Sequence, residues 1–142
     1  MSTTPLERGR QLSVISNALT RLHRDHYGRG ATTVRTIMQR NYVMCVLEDI
    51  YTPIERTLID AGRADAVRET RTIFQDTMKP QFVQIVESAL GRKVLAFMSQ
   101  VCFDPDMSAE IFILEPEGDD RAPEAEPLPT AQGMEADAAG SA

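Results

Sequence analysis

His23, Asp25 and His26 are the first candidates for chemistry in this chain. Three apart on a helix, the two imidazoles can approach each other. They still supply only two nitrogens, whereas zinc sites use three or four protein ligands, and the sequence holds no third histidine. They read as solvated histidines at a helix end, and no metal site is indicated. The two thiols, Cys45 and Cys102, lie far apart in apolar, strand-like runs without C-x-x-C spacing. They read as buried small hydrophobes in a reducing compartment, with a disulfide between two hairpins as the alternative. Neither has a base near it in sequence, and no serine–histidine–acid set can be assembled.

The segment Gly28-Arg29-Gly30 followed by Thr32 and Thr33 is richer. A glycine-rich turn can present backbone N–H groups, and an arginine can fork onto a phosphate or carboxylate. It is no P-loop, because it lacks Gly-Lys-Ser/Thr and no helix follows. The bland alternative is a helix stop beside an exposed arginine. Glu48 and Asp49 close a strand, where neighbours point to opposite faces, so they do not form a paired-carboxylate site. Arg63, Arg68 and Arg71 share a helix with Asp65 and Glu69, and read as a solvated charged face. A sharper alternative has Arg29 and Arg71 clamping a small anion near a sheet. Asp104-Pro105-Asp106 is turn chemistry and lacks the oxygen ladder and central glycine of a calcium loop. No cofactor is indicated.

Helices and hairpins must position these residues. From Glu7 to Tyr27, Leu12, Ile15, Leu19 and Leu22 form an apolar stripe at helical spacing, ended by Gly28 and Gly30. Thr32 to Gln39 alternates as a half-buried strand does. Tyr42 to Leu47 is continuously apolar, as a strand covered on both faces would be. Arg40-Asn41 between them is a two-residue turn, with Asn suited to the left-handed conformation. Thr52-Pro53-Ile54-Glu55 is a capping box opening a helix that ends near Ala61-Gly62. A longer helix follows from about Ala64 to Leu90, in which Pro80 should cause a kink or a break. Val94–Val101 and Ala109–Leu114 make a second hairpin. The α-β-β-α-β-β order predicts an α+β fold, with a four-stranded, mainly antiparallel sheet and helices on one face. The open face or a sheet edge could then pair two copies.

The chain of 142 residues is of single-domain length, and its net charge of −6 is unevenly spread. Residues 117–142 carry seven acids against one base, leaving residues 1–116 neutral. Within that body the first 45 residues are +5 and the rest −5. The expected organisation is one domain over residues 1–116, then a disordered acidic tail too poor in apolar side chains to fold. No apolar run is long enough to span a bilayer, and the N-terminus lacks the layout of a secretory signal. The cytoplasm is the expected compartment. The neutral domain and the absence of a basic cluster with interleaved aromatics argue against nucleic-acid binding.

Laid out in order, the segments resemble the MpsC-like family of small bacterial proteins. The matching pieces are Gly28-Arg29-Gly30-Ala31-Thr32, Val46-Leu47-Glu48-Asp49 with Thr52 and Glu55, Gly62-Arg63, and Arg71 with Phe74-Gln75. Glu87, Gly91-Arg92-Lys93-Val94, the Asp104-Pro105-Asp106 turn and Glu110 through Pro116 continue the match. Ala31, where the family often has proline, and Pro80 are departures. The resemblance implies a link to a cation-translocating, membrane-potential-generating system that includes a membrane subunit. On that basis the chain is expected to be a soluble, non-enzymatic accessory domain; the open sheet face or edge makes it an expected homodimer. It would dock on a protein partner, such as a membrane transporter complex, at the inner face of the membrane. The candidate binding residues are Gly28, Arg29, Gly30, Glu48, Asp49 and Arg71. The alternative is a regulatory domain sensing a small anion or metabolite.

Overall fold

The computed structural model describes residues 3–31 and 33–118. Helix α1 spans Pro5–Tyr27. It begins two residues before the sequence suggests, because Thr4 and Glu7 form a capping box around Pro5. Gly28 closes it in the left-handed conformation, φ 76°. Gly30 is needed for a different reason: a Cβ there would meet Cγ2 of Thr20 at 3.0 Å, so glycine lets the chain run back against α1. Strands β1 (Thr33–Gln39) and β2 (Tyr42–Glu48) form the first hairpin. The left-handed residue of its turn is Arg40, φ 55°, rather than Asn41. Asn41 is instead buried, bonding Leu114 through both its side chain and its backbone.

Helix α2 spans Pro53–Asp60, with the expected box between Thr52 and Glu55. Helix α3 runs unbroken over Ala64–Leu90. Pro80 does not split it: Pro80 and Asp76 are both exposed, so the carbonyl that loses its partner faces solvent. Strands β3 (Val94–Cys102) and β4 (Met107–Leu114) complete the chain. The sheet order is β1-β2-β4-β3 and every pairing is antiparallel. Each αββ unit contributes one hairpin, and the halves join through β2 and β4 at the centre, where Cys45 faces Glu110.

The helices cover one face. Val43, Cys45, Leu47, Phe112 and Leu114 point toward them and meet Ile15 and Leu19 of α1 and Val67, Phe82 and Val86 of α3, all buried. The rings of Phe82 and Phe97 stack at a centroid distance of 5.2 Å, and those of Phe97 and Phe112 meet tilted at 5.0 Å. Among the described residues, no helix lies on the opposite face. Strand β2 was expected to be covered on both faces; instead Tyr42 is exposed and Met44 and Val46 are half-buried. The expected tail lies outside the described residues from position 119 onward.

Candidate functional site

The loop after β2, residues 49–52, is held from every side. Asp49 turns left-handed, φ 58°, a conformation Asp tolerates better than most residues. Its backbone N–H donates to the Asp106 carbonyl, and the N–H of Ile50 donates to the Asp106 carboxylate at 2.8 Å. Arg29 reaches in from the Gly28–Gly30 turn, donating to Asp49 Oδ2 at 2.9 Å and to the Tyr51 carbonyl at 2.6 Å. Arg56, from α2, pairs with Asp49 and with Asp106, the latter at 3.1 Å. The Tyr51 hydroxyl donates to the Cys102 carbonyl, and its ring stacks on Phe103 beneath Arg68.

Beneath this surface cluster lies a buried one. Arg71 of α3 is 1% exposed and holds Glu55 through two 2.6 Å contacts, while donating to the Ile50 carbonyl. Its guanidinium sits 3.8 Å from the Tyr27 ring centroid and 5.3 Å from that of Tyr51. Burial would raise the Glu55 pKa, but the bonds from Arg71 and Thr52 outweigh it and hold the carboxyl below its usual range. Glu55 thus closes the α2 capping box and neutralises Arg71 with the same carboxylate. Burial pushes Tyr27 up to about 12.

The outcome for the sequence candidates is mixed. Arg29 and Asp49 are brought together, on the ordered turn that Gly28 and Gly30 allow. Glu48 stays exposed at the strand end. Arg71 is not on a solvated face: it turns inward and takes Glu55 from α2, while Asp65 pairs with Arg63. An anion clamp by Arg29 and Arg71 would have to displace two carboxylates the protein already supplies. His23 is not solvated either. It is buried against Tyr27 and Phe82, its Nδ1 within 2.9 Å of the Leu19 carbonyl, and burial lowers its pKa. His26 is exposed beside Phe74. Cys45 is a buried free thiol as expected, pushed up to about 12 by burial, but Cys102 is exposed. Among the described residues, no three metal-ligating side chains come together.

The roles of three residues here are not read from the sequence. Arg56 is not a candidate there and Asp106 reads only as a turn residue, because the bond that joins them spans fifty positions of the chain. Glu110 does carry a local signal: with Ser108, Phe112 and Leu114 it alternates onto the inward side of β4. It is fully buried, and neither carboxylate oxygen has a hydrogen-bond partner among the described residues. Burial pushes its pKa up to about 7, against a smaller pull from the Arg71 charge. The surface cluster is testable through Asp106, whose carboxylate joins the two halves. Asp106→Ala should cost roughly 1–3 kcal/mol in urea unfolding and speed amide exchange at Asp49 and Ile50.

Fold and site together define an α+β domain of two αββ units, tied at one pole by a charge-balanced cluster drawn from both. The chain belongs to the MpsC family, described as that of a Na+-translocating membrane potential-generating system, whose model matches residues 7–116. Gly28-Arg29-Gly30, Asp49, Thr52, Glu55, Arg71 and Asp106, which carried the sequence resemblance, all converge on the loop at this pole. No curated protein matches the chain, and no solved structure matches it. No helix among the described residues is long and apolar enough to cross a membrane.

Proposed function

We propose that the chain is an accessory domain of the membrane potential-generating system for which its family is named. In this reading it has no catalytic activity of its own and works at the inner face of the membrane by docking a protein partner. The observation that carries the reading is the family match over residues 7–116. The geometry that supports it is the charged pole. Arg29, Asp49 and Arg56 keep side-chain exposures of 32%, 39% and 52% while already fixed by one another. A preordered surface of alternating charge loses little entropy on binding and suits a protein face of mixed charge.

Capture from native cells tests this. Tagged chain purified from gently lysed cells should bring a membrane transporter subunit with it. Arg29→Ala should reduce that capture at least about tenfold, the loss of roughly 1.4 kcal/mol expected when one charged contact goes. Recovery of a soluble homo-oligomer alone would remove the accessory reading. Undiminished capture by Arg29→Ala would move the docking site away from the pole.

A further inference from the structure

The face of the sheet opposite the helices is a hydrophobic layer that no described residue covers. Ile37 on β1, Tyr42, Met44 and Val46 on β2, Ile111 and Ile113 on β4, and Met98 on β3 all point to it. Ile37, Tyr42 and Met98 are 56%, 51% and 51% exposed. Strand β2 is apolar on both sides, a pattern that belongs to strands buried on both faces. Scattered exposed apolar side chains are ordinary; a contiguous layer across four strands marks an interface.

We infer that this face is covered by the same face of a second copy, giving a helix–sheet–sheet–helix dimer. The inference deepens the docking reading by assigning the face to self-association and leaving the pole for the partner. Charge argues for it. Among the described strand residues of this face the charged side chains are one base, Arg35, and one acid, Glu48. The face is therefore neutral. Two copies meet without net repulsion, whereas an acidic or basic surface, anionic lipid included, finds little to bind.

Area argues for it as well. Four strands about 4.8 Å apart, each at least seven residues long at about 3.4 Å per residue, project roughly 450 Å². Two such faces remove about 900 Å² before side-chain corrugation is counted, which brings the total near the 1,200 Å² or so where specific interfaces begin. Two sheets can stack face to face about 10 Å apart with strands within about 30° of each other. An interface at the lower end of specific sizes suits an exchanging dimer.

Sedimentation velocity on the full chain from about 1 to 200 µM should show a monomer–dimer equilibrium. Ile37→Lys and Met98→Lys change side chains already half exposed in the single chain, so the folded monomer should keep its circular dichroism and its melting at low concentration. Each should weaken the dimer at least about 100-fold, because a lysine would be buried there without a partner. A chain monomeric at about 200 µM overturns the inference, and so does a dimer indifferent to both substitutions. The accessory reading is judged separately. A monomer whose capture of a membrane subunit is abolished by Ile37→Lys gives this face to that partner and ends the dimer while keeping the accessory role. A face-dependent dimer that captures nothing does the reverse.

Discussion

Arg71→Met should lower the unfolding free energy by roughly 3–5 kcal/mol, read as a shift of the urea midpoint at pH 7. The substitution keeps an apolar stem and removes the guanidinium that makes every one of these contacts. It strands the Glu55 carboxylate, 12% exposed, without its only strong cationic partner in the described contacts, and it leaves the Ile50 carbonyl short of a donor. It also removes the cation lying over the Tyr27 ring. The loss should be greater than for any of the surface pairs, since Arg63–Asp65 and Arg56–Asp49 are largely solvated. The double variant Arg71→Met with Glu55→Gln tests the cause. If the cost comes from an uncompensated charge, adding the second change should recover much of the loss, and the double variant should be more stable than Arg71→Met alone. Strict additivity would show that shape, not charge, sets the cost.

Glu110→Gln should stabilise the protein at pH 8 by roughly 3 kcal/mol and change it by less than about 1 kcal/mol at pH 5. The sign follows from where the proton resides. The folded carboxyl titrates at about 7 and its ordinary value is 4.5. Between those values the folded state holds a proton that the unfolded state has released. Stability contributed by Glu110 is therefore complete below about pH 4.5 and lost as pH rises through about 7. Above that, the fold holds an anion at 0% exposure with both oxygens unpartnered among the described residues. His23 slopes the other way, because its buried ring resists protonation. Its contribution is present above the ordinary value of 6.5 and lost as pH falls through its lowered one. Unfolding midpoints across pH 4.5–8.5 should thus pass through a maximum, and Glu110→Gln should abolish the alkaline decline. A decline that survives Glu110→Gln would assign it to another group.

Much of the fold was legible because its determinants are local. Gly28 and Gly91 stop helices by taking the left-handed conformation, and Thr52, Pro53 and Glu55 start one, whatever else surrounds them. The same kind of signal at Thr4, Pro5 and Glu7 fixes the true start of α1. The α-β-β-α-β-β order and the one-sided helix layer follow from hydrophobic periodicity. The hairpin ends were less legible: β4 begins at Met107, before its apolar run becomes continuous.

What the sequence could not decide was the surroundings of its charged and polar side chains. Arg71 and Arg68 lie three apart on α3, yet one is buried and the other exposed. The difference is made by α2, which brings Glu55 from sixteen residues away to the Arg71 side. Asp106 looks like a turn residue by itself and becomes a tie only when β4 pairs with β2 and places it beside Asp49 and Ile50. The apolar run of β2 likewise states that both its faces suit burial, but not what buries them; tertiary structure gives one face to the helices and, among the described residues, leaves the other open. Caps, stops and periodicity act over a few bonds and are written in neighbouring residues. Ion pairing and burial depend on distances that exist only once the two αββ units have closed against each other.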